Sequence, residues 1–454
     1  MRNHFTEDSE MKKKRRISID RFGKRALMPA LALFVSLSVA PALGVSAASQ
    51  DTALVSPALC VLAQQNSMAK AGVVGNSIKF ESDDFARAMN LSEISSVTIT
   101  KAPPITDGEL RLGSTVVAKG QTIRESNLSL LSYVPSSSNV SESSFGFSVN
   151  GSPLEMTCKL YMLDEVNYSP TLSTVSENYL NVSTHKNITL YGTLPCYDPD
   201  GDETVIEIVS YPETGILTLT DRSTGEYTFT PSQGRTGEDS FVYVARDIYG
   251  NYSASATVSL SVEKPSTSIV YADMENSPQY NAALTVTEKG IMSGTQVGSS
   301  VYFYPDRAVS RGEFLVMAMN AKGINEVFDS AKTVFADDAS FSDDMRDYIA
   351  AAYELGYIQG EINEKGERCF YPDRTITRAE AAVMLSNILD AATPTVKPMF
   401  EDSSDIPAWA SSSVYAMNHM GIMTATGGNI SSTSTLTRGD AAQLLSALIS
   451  VTEK

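Results

Sequence analysis

Residues 376–385 read ITRAEAAVML, and this stretch decides how the C-terminal third of the chain is read. Thr377 followed by Glu380 is the pattern of a capping box, in which the hydroxyl accepts the third helical N–H and the carboxylate reaches back to the N–H of the cap residue. Counting from Thr377, apolar residues fall at +4, +7, +8 and +11, namely Ala381, Met384, Leu385 and Ile388. That spacing predicts a helix with one buried face. Arg378 takes the first helical position, off that stripe, where local helix chemistry has no task for it.

The box recurs as Ser310-Arg311-Gly312-Glu313 and as Thr437-Arg438-Gly439-Asp440. The first is followed at the same spacing by Phe314, Met317, Ala318 and Ala321, the second by Ala441, Leu444, Leu445 and Leu448. Upstream of each box another helical stretch ends at Gly290, Gly356 or Gly421, which suit the left-handed position just past a helix. One unit of helix, glycine turn, loop and capped helix cannot bury both of its stripes, so the three units are expected to pack together.

Further landmarks keep the same order. Tyr271-Ala-Asp273, Phe335-Ala-Asp337 and Phe400-Glu-Asp402 open the units, and Phe-Tyr-Pro-Asp-Arg stands at 303–307 and 370–374. On these residues the segment resembles three S-layer homology (SLH) repeats, 270–323, 334–390 and 399–449. The resemblance implies an all-α pseudo-threefold bundle that attaches exported proteins to the cell wall through a secondary polysaccharide carrying ketal-linked pyruvate. It also implies polysaccharide-binding roles for Arg311, Arg378 and Arg438 as carboxylate contacts, with Asp273, Asp337, Asp402 and Trp409 beside them.

Chemistry supports the arginines separately. A helix N-terminus offers unpaired N–H groups and partial positive charge to an anion, and a guanidinium adds a bidentate partner for a planar carboxylate. The competing use is pairing with acids of the same domain, such as Asp306 or Asp373; three arginines at one repeat position weigh against it. The repeats are unequal, because the third alone has Trp409 and has Ile430–Leu436 in place of the Phe-Tyr-Pro-Asp loop. Unequal grooves are expected to follow.

From Asp51 to Glu263 the pattern is different: Ser, Thr and Val abound, and apolar residues alternate with period two between turn signals. Gly108–Leu112, Leu131–Pro135 and Phe145–Val149 are repeated as Gly215–Leu219, Tyr227–Pro231 and Phe241–Ala245. These stretches resemble the Ig-like or cadherin-like modules of bacterial surface proteins, at 48–166 and 167–263. The expected fold class is therefore two all-β sandwiches, a linker at 264–269, and the all-α SLH bundle. Asp198-Pro-Asp200-Gly-Asp202, with Asp247, offers hard oxygen ligands to Ca²⁺ or forms an acidic β-turn. An EF-hand does not fit, because the twelfth position from Asp198 is Val209. No other cofactor is called for.

The chain has 454 residues, 42% apolar and 19% charged, a balance typical of globular proteins. Residues 1–47 have a basic run at Lys12–Arg16, an apolar stretch from Ala26 and a Val45-Ser46-Ala47 end, the pattern of a signal peptide cleaved after Ala47. A retained anchor is the alternative. Because that segment carries nine Lys/Arg against four Asp/Glu, its removal takes the net charge from −18 to −23. Such a chain is a poor partner for nucleic acid or anionic lipid, and no later apolar run is long enough to span a membrane. The expected location is the outer face of the cell wall, with other S-layer or surface proteins as further partners.

Cys60, Cys158, Cys196 and Cys369 form no CxxC or Cys/His cluster, which argues against zinc and iron–sulfur sites. Export permits a Cys60–Cys158 disulfide, and buried thiols are the alternative. The three histidines, His4, His185 and His419, stand in no nucleophile–base motif. The expected function is a non-catalytic wall-anchored protein displaying its β modules; an adhesin or an exported glycan-acting enzyme on the same anchor are the alternatives.

Overall fold

Seven strands between Asn181 and Glu263 form two sheets around one core. Asn181–His185, Ala256–Glu263, Gly237–Asp247 and Thr204–Ser210 form the first sheet, and Leu190–Thr193, Glu226–Pro231 and Gly215–Asp221 the second. Phe229, Phe241, Tyr243, Val258 and Leu260 are buried between them. The period-two alternation is the cause, since every second side chain of a strand points to one face. The computed structural model describes residues 67–89, 91–172, 176–325, 332–395, 397–398 and 400–453, all within the unit Pro57–Lys454. The proposed signal segment and Cys60 lie outside the described residues.

The preceding module repeats this plan with more strands. Ser67–Val73, Met156–Leu163, Glu142–Val149, Ser96–Lys101 and Thr122–Arg124 form a five-stranded sheet, and Ile78–Lys79, Leu131–Pro135, Gly108–Leu112 and Thr115–Val116 a four-stranded one. The two sheets share a core that includes Phe80, Phe85, Tyr133, Phe145 and Phe147. The internal repeat is visible in the register, because Gly108 pairs with Pro135 as Gly215 pairs with Pro231. In both modules the first strand lies parallel to the last: Ser67–Val73 on Met156–Leu163, and Asn181–His185 on Ala256–Glu263.

In the C-terminal third, helices Tyr280–Glu288, Asp343–Glu354 and Ser411–His419 each precede a capped helix, Arg311–Ala321, Arg378–Leu389 and Arg438–Thr452. The first three end at Gly290, Gly356 and Gly421, with φ of 69°, 78° and 71°, which a side chain would strain. The apolar stripes of the capped helices enter one core shared by all three repeats; Met317 alone is only partly buried. The region also holds two short ribbons, Thr295–Val297 with Ser300–Tyr302 and Glu361–Ile362 with Arg368–Cys369, so it is helical with β additions. A closed ring of backbone hydrogen bonds ties the repeats together: Val309 N–H to Leu436 O (3.0 Å), Leu436 N–H to Ile376 O (2.8 Å) and Ile376 N–H to Val309 O (3.1 Å). Each repeat thus donates to one neighbour and accepts from the other.

The Ig module sits on this helical region through polar contacts. His185 places Nδ1 2.7 Å from Asn281 Oδ1 and Nε2 3.2 Å from Glu288 Oε2. Tyr179 donates its hydroxyl to Asn418 O at 2.8 Å, and the Gly427 N–H reaches Glu226 at 2.5 Å. The connecting segment is pinned too, because Ser266 and Thr267 donate N–H groups to Glu288 Oε1 at 2.6 and 3.3 Å.

Candidate functional site

The capping boxes form as reciprocal pairs at Ser310 and Glu313, Thr377 and Glu380, and Thr437 and Asp440. The helix N-termini are not open to an anion, however. The first two N–H groups of each helix donate to the loop of the neighbouring repeat: Arg311 and Gly312 to Arg374 O and Pro372 O, Arg378 and Ala379 to Ser434 O and Ser432 O, Arg438 and Gly439 to Arg307 O and Pro305 O. The third donates to the cap hydroxyl. The donors expected to attract a carboxylate are already spent on holding the repeats together.

The three aspartates also serve the backbone. Asp273 accepts the N–H groups of Phe303 and Tyr304 at 2.8 and 2.7 Å. Asp337 does the same for Phe370 and Tyr371, the nearest contacts being 3.0 and 2.7 Å, and Asp402 for Ile430 and Ser431 at 2.9 and 2.7 Å. Each clamp fixes a residue in the left-handed region, Tyr304, Tyr371 or Ser431, with φ of 57°, 58° and 52°. Asp273, Asp337 and Asp402, expected as sugar contacts, therefore spend both carboxylate oxygens on loop geometry.

The arginines, expected as carboxylate contacts in unequal grooves, are largely buried and differ in their bonds. Arg378 donates Nε to Ile430 O (3.2 Å) and Nη2 to Thr424 O (3.3 Å). Arg438 makes the corresponding pair with Phe303 O (2.9 Å) and Ser293 O (2.8 Å), its guanidinium 4.8 Å over the Phe303 ring. Arg311 stacks likewise 5.1 Å over Phe370 but makes neither carbonyl bond. Its Nε is buried without a partner, and Nη1 reaches only Glu380 at 3.4 Å. Burial pushes the guanidinium of all three arginines below its ordinary pKa, and for Arg311 Glu380 and Glu361 pull the other way.

Three grooves follow the repeats, each formed by one box arginine and the capped helix of the next repeat; in the Arg311 and Arg438 grooves the first helix of the remaining repeat and the residues just before it add a further wall. The Arg311 groove is the largest, about 650 Å³, and includes Arg374, Glu361, Glu380, Asn387 and Trp409. Trp409 is 63% exposed, a flat apolar face at the rim. The Arg438 groove is about 290 Å³ and mostly apolar, lined by Met317, Met345 and Tyr348, and the Arg378 groove is about 220 Å³, lined by Thr424, Ser434 and Asp440. Arg374, read from the sequence only as the end of the Phe-Tyr-Pro-Asp-Arg landmark, lines the first groove, bound to Glu361 by two contacts (3.1 and 2.6 Å) and to Glu380 (2.5 Å); its place there was missing from the sequence reading. So was Arg368, which donates to Gln359 O at 2.7 Å. Aligning the repeats would have exposed it, since Val301 and Gly428 stand at its position.

In the Ig module, Asp198, Asp200 and Asp202 bring carboxylate oxygens within 4.8 Å of one another. Asp247 stands beside them with its oxygens engaged by Asn251 N–H (2.9 Å), Asn251 Nδ2 (3.0 Å) and Asn167 Nδ2 (2.7 Å). Cys158, Cys196 and Cys369 are free thiols, and burial raises the first two above the ordinary thiol range. Among the described residues no helix is long and apolar enough to cross a membrane.

Comparison with known families matches the S-layer homology domain at residues 270–315, 334–382 and 400–442, and the bacterial Ig domain at residues 167–261. S-layer homology domains generally bind secondary cell-wall polysaccharide and place their carriers at the cell surface. A curated relative, the amylopullulanase of Thermoanaerobacterium thermosulfurigenes, is 29% identical over 135 residues, which are 29% of this chain and 7% of that protein. Among solved structures, the fibronectin(III)-like modules of Clostridium thermocellum CbhA are 13% identical, covering 44% of this chain and 91% of theirs at a TM-score of 0.20. Drosophila N-cadherin EC1-3 is 13% identical, covering 44% and 64% at a TM-score of 0.20.

Proposed function

The chain carries three S-layer homology domains behind a bacterial Ig domain, and from that premise we propose a non-catalytic surface protein held at the cell wall by one principal groove. The groove is the one around Arg311. Its ligand is a secondary cell-wall polysaccharide whose ketal-linked pyruvate presents a carboxylate to the Arg311 guanidinium, while a neighbouring sugar ring rests on Trp409. The β modules then project from the wall, as an S-layer component or an associate of one.

The observation that supports this choice is the buried, unpartnered Nε of Arg311 in the most spacious of the three grooves. A desolvated guanidinium with unused donors gains more from a carboxylate than one already bonded to carbonyls, because a charge-assisted pair replaces a buried donor without an acceptor. Arg378 and Arg438 act as ties between repeats. Glu361 and Glu380 keep Arg374 out of competition for the ligand.

The test is co-sedimentation with purified wall sacculi, native or stripped of polysaccharide. Arg311→Ala is expected to weaken binding to native walls about 10–100-fold, the worth of a charge-assisted bidentate contact. Undiminished sedimentation with stripped walls would sink the anchoring mechanism. Full binding by a folded Arg311→Ala chain would sink the choice of groove.

A further inference from the structure

The Ig domain holds a second group of charges that wall attachment does not use. Asp198 accepts the N–H groups of Asp200 (2.9 Å) and Asp202 (3.1 Å) on Oδ1, which closes the turn around Gly201 and turns all three carboxylates to one side. An acidic turn alone would need nothing more. The further fact is that Asp198 is only 7% exposed, and its Oδ2 is buried with no donor; the Oδ2 of Asp202 is buried and unpartnered as well. Burying carboxylate oxygens beside like charges without donors is strongly unfavourable unless a cation satisfies them.

We propose that Asp198, Asp200 and Asp202 bind one hard divalent cation, Ca²⁺, at the end of the Ig domain facing the preceding β module. The donors are all oxygens, and the described part of the cluster has no Cys or His, which suits calcium better than a transition metal. Fully buried Asp247 stands outside the group of three, with both of its oxygens engaged by N–H groups of Asn251 and Asn167. It contributes field instead. Burial, together with Asp198, Asp247 and Asp200, raises the Asp202 carboxyl above its ordinary range, and a bound cation reverses that pressure.

The position gives the ion a task. Tyr168, on the connection from the preceding module, donates its N–H to Asp200 Oδ2 at 2.6 Å, and the Asn167 side chain reaches Asp247. Tyr161 of the first module meets Tyr249 edge-on at 5.3 Å. At Gly250 a Cβ would lie 1.9 Å from Ala69 O, so the modules are in backbone contact there. Filling the site therefore stiffens the joint between the two β modules.

The experiment uses the full chain freed of metal with EDTA and titrated with Tb³⁺, whose emission the nearby Tyr249 can sensitise. Expected are saturation at one ion per chain, displacement by Ca²⁺ well before Mg²⁺, and a rise in Tm of several degrees in millimolar Ca²⁺. Asp202→Asn, which keeps its backbone bond to Asp198, is expected to fold and to lose all three effects. Asp200→Asn guards against a folding failure of the first variant. No sensitised emission and no Ca²⁺-dependent Tm in the parent chain overturns the proposal, as does emission that both variants retain.

Discussion

Arg368 donates to the carbonyl of Gln359 at 2.7 Å, three residues beyond Gly356, and so occupies the place that Arg378 and Arg438 take in their own grooves. The corresponding carbonyls are Thr424 O and Ser293 O, each three residues beyond its repeat's glycine, and each is bound by a box arginine. Because Arg368 already uses that carbonyl, Arg311 lacks the second of the two ties its counterparts make. Its freedom is created by a residue outside the capping box.

Removing Arg368 should therefore weaken wall binding without any change to the groove lining. In Arg368→Gln the Gln359 carbonyl falls open to Arg311, which can then fold back as its two counterparts do. Sacculus affinity is expected to fall several-fold with thermal stability almost unchanged, since exposed Arg368 contributes little to the fold. Unaltered affinity would show that Arg311 does not depend on this competition.

The three box arginines should separate in stability measurements. Arg378→Ala and Arg438→Ala each remove two bonds from a guanidinium to loop carbonyls and are expected to cost about 1.5–3 kcal/mol, or a fall in Tm of roughly 3–10 °C. Arg311→Ala removes a largely buried cation with an unsatisfied Nε and should be close to neutral. Thermal denaturation of the three variants decides it. Equal losses would contradict the division into ties and receptor.

The helices, their caps and their buried stripes were legible in the sequence because each rests on short-range spacing: Thr377 with Glu380, Ala381 with Met384 and Leu385. The β repeat was legible for the same reason, through Gly108 and Pro135 against Gly215 and Pro231. What could not be read was use across repeats. A sequence shows that a helix start has unpaired N–H groups, but only the ring closure shows Pro305, Pro372 and Ser432 supplying their acceptors. Asp402 illustrates the same point for backbone donors, since Ile430-Ser431 looks unlike Phe-Tyr yet donates its N–H groups to the same clamp. Backbone donors and acceptors carry no side-chain signature.

Those clamps predict a thiol readout. Asp337 holds Phe370 and Tyr371, and the neighbouring Cys369 is buried at 4% exposure on the ribbon strand leading into that loop. Asp337→Ala should let Tyr371 leave its left-handed conformation, at a cost of about 1–3 kcal/mol, and open the loop locally. Labelling of Cys369 by a thiol reagent, followed by peptide mapping, is expected to speed up at least about tenfold, while buried Cys158 in the distant β module stays slow and serves as the internal control. Unchanged labelling of Cys369 would mean that the ribbon, rather than the aspartate, secures the loop.

Acid should loosen the Ig domain from the helical region. Burial works to raise the Glu288 carboxyl, but the hydrogen bond to His185 and the N–H groups of Ser266 and Thr267 outweigh it and hold the group below its ordinary pKa. A carboxylate depressed in the folded state contributes stability that is fully present above its unfolded value, near pH 4.3, and is lost as pH falls through the folded value. Protonation there removes an acceptor from His185 and from the connection at once, whereas Asn281 keeps its own contacts with Ser183 and His185. Spin labels on the Ig and helical regions are therefore expected to show a sharp distance distribution at pH 7 that broadens below about pH 4. Glu288→Gln should show the broadened distribution already at pH 7, with little further change on acidification. A parent chain that broadens no more than this variant across the same range would remove Glu288 as the acid-sensitive contact.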